Sequence, residues 1–326
     1  MSLRTLLDEG ARFGPEYAGD LSTHLPMALV ALKSLGADDA RLAGFARAYA
    51  ARLQPAPPPE DWPAGEPWPA RLGDPAAWPA YRGLFARWLD LEGSAALLQQ
   101  VLPLLMPGCG AAAFHGLIRV AAALRAGHAG ELADGLAYWA CRHLPLGALP
   151  QRAGRQRDPL PLLRRLPAHA SHHALISQRM QAAAASPALQ AAVAALAIDE
   201  HTLPRLARLS AQAYAGSGNF TALHLVTGCH AMRLLLPMLD EPLPALRCFW
   251  QAWATALVAA CLVALPPVPL MPWPDLVSLA LASDDEHLIK LVDACRAEEA
   301  AQGGDDWQLA ATRAATQAAT QAASRR

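Results

Sequence analysis

Charge is scarce in this chain. Only 17% of its 326 residues are Asp, Glu, Lys or Arg, and 27 basic against 28 acidic residues leave a formal charge of -1. That balance gives no electrostatic reason to bind nucleic acid or an anionic membrane. Scarce charge beside 53% hydrophobic residues also excludes a disordered chain, whose composition is the reverse. Paired cysteines are missing too. Cys109, Cys141, Cys229, Cys248, Cys261 and Cys295 form no Cys-x-x-Cys, which excludes zinc ribbons and thioredoxin-like redox pairs. Each lies in an apolar stretch and reads as a small buried hydrophobe. No disulfide is needed, since a chain of about 300 residues buries roughly three quarters of its unfolded surface. No apolar run reaches bilayer length: Trp253 to Leu265 is the longest, and Pro266, Pro267 and Pro269 end it. The start, MSLRTLLDEGARFG, lacks an apolar h-region and a cleavage site, so no signal peptide is expected and a reducing cytoplasm is the expected home.

Runs of Val, Ile, Thr and Tyr with period two are also absent, while Ala and Leu dominate. The pattern predicts an all-α fold, one multi-helical domain over 1–305. The predicted helices cover 26–35, 39–53, 76–90, 93–106, 111–126, 130–144, 186–198, 203–215, 220–238, 243–265, 275–282 and 285–301. Asp38 and Ser283 or Asp284 are placed as N-caps, and Gly36 and Gly127 as stops. Residues 55–80 are rich in Pro but carry Trp62, Trp68 and Trp78, so they read as an ordered surface loop rather than a linker. Residues 146–175, rich in Pro, Arg and His, read as irregular. The segment 306–326 is a low-complexity Ala/Thr/Gln tail, either a weakly amphipathic helix or disordered, with no function attached to it.

A faint repeat suggests a duplicated helical hairpin. Gly108-Cys109-Gly110 precedes Phe114-His115, and Gly216-Ser217-Gly218 precedes Phe220 and His224. Each is followed by a helix with an arginine (Arg119, Arg233), a turn, and paired aromatics (Tyr138-Trp139, Phe249-Trp250). Chance similarity between Ala/Leu-rich helices explains the repeat nearly as well. The first glycine cluster superficially matches a dinucleotide fingerprint, but VLPLLMP before it is not a strand and no βαβ unit surrounds it. No binding motif for NADPH is therefore present, and neither is a P-loop, Gly-x-Ser-x-Gly or His-Glu-x-x-His.

The histidines carry more information. His24, His115, His224 and His230 lie in almost wholly apolar helical segments. A buried imidazole needs partners for both nitrogens. One such histidine is more often a core residue bonded to a carbonyl. Four in three apolar segments point to a shared ligand, and a metal ion collects several ring nitrogens at once. His224 and His230 are six apart, about 120° around a regular helix, so both reach one ion only if the helix bends at Thr227-Gly228. Thr227 shares the face of His224. His287 is a fifth candidate, with an exposed first-turn residue as its plainer reading. His169, His172 and His173 fall in a polar loop, and His128, His143 and His201 near helix ends. Glu92 and Glu131 are placed as supporting carboxylates near these helices.

Lysine is almost missing: only Lys33 and Lys290 stand among the 27 basic residues. Lys can lose its proton when buried, whereas Arg effectively cannot. Lys290 sits among Leu288, Ile289 and Leu291. Its plainer reading is an exposed helical lysine paired with Glu286.

With these residues in place, the chain resembles the questin oxidase-like family. The segments that carry the resemblance are STHLPMALVALKSLGA, EGSAALLQQVLPLLMPGCGAAAFHGLIRVAAAL, FTALHLVTGCHAMRLLLP and DDEHLIKLVDA, from about 20 to 296. The resemblance implies an oxidoreductase that cleaves a ring of an aromatic polyketide-like quinone or phenol, with dioxygen as co-substrate. It implies non-heme Fe(II) held by four histidines and a carboxylated lysine. Carried over by position, these are His24, His115, His224, His230 and Lys290, with Thr227 supporting the carbamate as a catalytic residue beside Lys290. Two other classes stay open at this point: a helical interaction protein with structural histidines, and a zinc hydrolase using the same cluster, since ligand types alone do not separate iron from zinc.

Overall fold

The computed structural model describes residues 1–149 and 154–324 and is 68% helical. The described residues form fifteen α-helices: α1 (Leu3–Gly10), α2 (Leu25–Leu35), α3 (Asp39–Ala50), α4 (Trp78–Leu105), α5 (His115–Ala126), α6 (Ala129–Cys141), α7 (Leu160–Leu163), α8 (Ile176–Ala184), α9 (Pro187–Ala195), α10 (Thr202–Ser217), α11 (Phe220–Leu235), α12 (Pro242–Ala259), α13 (Trp273–Ala282), α14 (Glu286–Gln302) and α15 (Asp306–Ser324). The sole sheet among the described residues is a two-residue hairpin, β1 (Glu16–Tyr17) with β2 (Leu21–Ser22). The all-α expectation holds.

Local chemistry explains the boundaries. The Asp38 carboxylate accepts from the Arg41 N–H and starts α3; Asn219 accepts from Thr221 and Ala222 and starts α11. Asp285, one residue beyond the predicted cap, accepts from the His287 N–H and starts α14. Gly36 and Gly127 end their helices in the left-handed region, at φ 103° and 59°. The two helices predicted over 76–106 join as α4 across a break at Gly93, whose φ is 80°. α12 stops at Ala259 rather than 265, because Cys261 just beyond it takes a φ of 49° and leaves the right-handed helix. The short α1 and α8 escaped the sequence reading; each is under ten residues long and buries only two or three of them. The C-terminal segment is α15, with Trp307, Ala310, Ala311, Ala314 and Ala315 buried against the domain. Its small side chains allow close packing on α10 and α14, and this escaped a reading based on complexity alone.

The Pro/Trp stretch is ordered, as expected. Trp62 and Trp68 lean on Tyr81, and Trp68 also meets Phe85 edge-on. The loop crosses α4 at Gly83, where a Cβ would sit 2.1 Å from the Glu60 carbonyl oxygen. Two further glycines set the distance between α5 and α6: a Cβ on Gly116 would lie 2.7 Å from Trp139 Cβ, and one on Gly135 would lie 3.2 Å from Val120.

A buried ion network ties α4, α5 and α6 together. Arg119 donates to Glu131 at 2.5 and 2.9 Å, Arg82 donates to Asp134 at 2.5 Å, and Arg119 stands 3.6 Å from Asp134. Burial works against the Arg119 cation, but the Glu131 and Asp134 carboxylates raise its pKa. Glu131 is thus a member of this structural network. Glu92 is exposed and accepts from Gln100.

Helices α2, α5, α11 and α14 pack on one another at the centre. α5 and α11, the first helices of the two suspected hairpins, lie side by side. Each of the four central helices brings a histidine near its N-terminal end: His24 at the cap of α2, His115 and His287 in the first two positions of α5 and α14, and His224 in the second turn of α11.

Candidate metal centre

His24, His115, His224 and His287 converge. His24 stacks on His115 at a centroid distance of 4.6 Å, His115 meets His224 at 4.9 Å, and His287 closes the group at 4.6 Å from His24 and 5.9 Å from His224. Ligating atoms of His24, Glu286 and His287 all lie within 4.8 Å of one another. Glu286 joins the group with one carboxylate oxygen 3.7 Å from His24 Nδ1 and the other 3.6 Å from the Arg52 guanidinium.

The rings are set by backbone groups. His115 Nδ1 donates to the Ala112 carbonyl at 2.5 Å, and His224 Nδ1 donates to the Phe220 carbonyl at 2.8 Å. With Nδ1 holding the proton, each Nε2 is left with a free lone pair, the arrangement that orients a metal-binding imidazole. Backbone strain supports the first of these bonds. Ala112, Ala113 and Phe114 have φ of 46°, 56° and 68°, three non-glycine residues in succession in the left-handed region. Each costs about 1–2 kcal/mol. This left-handed turn replaces the first four residues of the helix predicted from 111. It aims the Ala112 carbonyl at the His115 ring. Such strain persists only where the surroundings enforce it, and it clusters at functional sites.

The free nitrogens have no partners. His24 Nδ1 and the Nε2 atoms of His115, His224 and His287 are buried and unbonded, and so is Lys290 Nζ. Burial pushes His24, His115 and His224 well below the usual histidine pKa, reinforced by Lys290 and by one another. The four positive helix ends act in the same direction. The imidazoles of His24, His115 and His224 are therefore neutral near pH 7, as metal ligands must be.

Lys290 is 4% exposed and forms no ion pair with Glu286. It stands one turn after Glu286 and His287 on α14, so the three share a face. Burial lowers its pKa to about 8, against the opposing pull of Glu286 and Asp285. A sizeable fraction of this amine is therefore neutral at physiological pH.

His230 makes no ring contact with this group, although its Nε2 is also buried and unbonded. α11 runs unbroken through Thr227-Gly228, so His230 points away from His224. Gly228 is there for packing: a Cβ would come within 3.3 Å of Phe114. His230 borders a separate cavity of about 30 Å³, shared with Thr227, Lys290 and Asp293. Its Nδ1 donates to Glu298 Oε1 at 2.7 Å, and Arg233 donates to the same oxygen. Burial opposes the Glu298 anion, but His230 and Arg233 hold its pKa low. Thr227 Oγ1 donates within its own helix, to Leu223 and His224 carbonyls. Lys290 thus has the four-histidine group on one side and Thr227 and His230 on the other. His287 could have been preferred from sequence through the Asp285 cap, which puts it three residues before Lys290. The left-handed turn and Glu286 left no such signal.

The histidine group opens onto a cavity of about 580 Å³, within the range of about 300–1,000 Å³ that small-molecule sites occupy. Tyr17 and Ser22 from the hairpin, Leu144, Ile176 and Phe220 contribute to its wall. Phe220 is half exposed and meets the His224 and His287 rings edge-on at 4.7 and 4.8 Å.

Sequence comparison bears on this geometry. The profile of the Questin oxidase-like family matches residues 21–295. The chain belongs to the questin oxidase-like family. The match takes in all five converging residues and ends before α15. Membership implies an oxidoreductase. A comparison with curated proteins gave no match. Among the described residues, no helix of this questin oxidase-like chain is long and apolar enough to cross a membrane.

Proposed function

We propose that the chain is a non-heme iron oxygenase that cleaves a ring of a planar, electron-rich aromatic quinone or phenol with dioxygen. The observation that carries this reading is the set of unbonded nitrogens on four rings in contact. A structural histidine would spend both nitrogens on protein groups, because an unpaired buried polar atom costs about 1–3 kcal/mol. Here four neighbouring rings each leave a buried nitrogen without a hydrogen bond. A dication resolves that cost at a stroke.

The proposed ligands are His24, His115, His224 and His287, with Lys290 as its carbamate. His287 takes the place first given to His230 because only His287 shares the ring cluster. A dication beside four positive helix ends needs negative ligands. Glu286 supplies one negative charge nearby, and a carbamate on Lys290 would supply another. The neutral fraction of the amine adds to the carbon of carbon dioxide, and the released proton leaves as hydronium to solvent. Thr227 and His230 border the space such a carbamate would enter. Iron supplies the one-electron chemistry that lets dioxygen react with a closed-shell aromatic. The chain's own work is to keep the imidazoles neutral, to exclude water from the buried cluster, and to hold the ring against Phe220 and the apolar wall.

Electrons come from the substrate in this reading, so NADPH has no role. Adding a hydroxyanthraquinone to iron-loaded protein should produce dioxygen uptake without a nicotinamide, and none after chelation. Uptake that requires NADPH, or that survives removal of iron, would reject the proposal.

A further inference from the structure

The cavity that opens from the histidine cluster has a second polar feature, Arg179 on α8. Ile176 and Met180 are buried and anchor this helix, and Arg179, three residues after Ile176, shares their inward face. Its Nε is buried without a partner, and its side chain makes no ion pair with any described residue. The acids on the same wall are engaged elsewhere. Arg142 holds both Glu16 and Asp20, and Glu286 stands between His24 and Arg52. Arg142 is thereby paired twice, within a cluster that keeps one negative charge, which leaves Arg179 as the guanidinium of the cavity without an ion pair among the described residues. A guanidinium in a low-dielectric wall calls for an anion, and its planar fork matches a carboxylate.

We infer that Arg179 binds the carboxylate of the substrate, which makes the ligand of this cavity an aromatic acid rather than a neutral ring. The inference rests on the cavity being the substrate site, as proposed above, but not on the metal. The acid group would seat at α8 while the ring lies against Leu144, Ile176 and Phe220 toward the histidines. Arg179 is then a specificity-determining residue.

The test is binding to metal-free protein, by calorimetry, of 2-naphthoate and its uncharged methyl ester. Wild type should bind the acid at least tenfold more tightly than the ester. Arg179→Met keeps the aliphatic stem and removes the fork; it should abolish that preference and leave the ester affinity within about twofold, which also shows that the pocket is intact. Arg179→Lys should retain part of the preference through charge alone. Equal affinities in wild type, or a preference that survives Arg179→Met, would overturn the assignment while leaving the cavity as a substrate site. If wild type binds neither probe, the assignment and the substrate-site reading fall together.

Discussion

Replacing Lys290 by methionine or arginine should reduce iron affinity by at least about 100-fold, since loss of even an outer partner of a metal site costs about 10–100-fold. The two variants separate two explanations. Methionine keeps a similar length and suits the apolar surroundings, but forms no carbamate. Arginine keeps the cation and can neither lose its proton nor react with carbon dioxide. A structural lysine would tolerate at least one of them. A lysine that must be neutral and carboxylated tolerates neither. Thermal unfolding should show that Lys290→Met stays folded, since it removes only a buried unpaired amine. Iron content equal to wild type in Lys290→Met would remove Lys290 from the ligand set.

The second large effect concerns the fold. Glu131→Ala should destabilise the protein by about 3–5 kcal/mol, because it leaves Arg119 buried with only Asp134 at 3.6 Å. The loss should appear as a lower urea midpoint with an unchanged slope. The double variant Arg119→Met with Glu131→Leu removes both charges and should recover most of the loss, since apolar replacements of buried pairs are often neutral. Full stability in Glu131→Ala would mean that the pair contributes nothing. Arg119 sits one turn after His115 on the same helix, so a weakened network would also loosen the placement of that ring.

How far the sequence carries a reader depends on the kind of signal. Helices such as α2, α5, α11 and α14 were legible because their apolar residues are dense, and Gly36 and Gly127 mark the ends of α2 and α5. His115, His224 and Lys290 were legible as oddities, polar groups in apolar surroundings. His287 was weighed but ranked below His230, because a histidine among Asp284, Asp285 and Glu286 looks solvated. The fold instead buries Glu286 and brings the half-buried His287 ring against His24, which makes both part of the site. The left-handed turn at 112–114 had no signal at all, since alanine is a poor residue for positive φ. It is imposed by tertiary structure. Arg179 was hidden for a different reason: α8 is short, and an arginine in a polar stretch looks exposed until Ile176 and Met180 show which face turns inward.

The account rests on the four histidines acting together as a metal centre, and metal stoichiometry tests that most directly. Protein produced with iron supplied should carry about one iron per chain by elemental analysis, the number that one cluster implies. His115→Ala and His224→Ala should each retain the fold and lose that iron. A wild type without iron after anaerobic loading, or either variant still holding a full equivalent, would contradict the account.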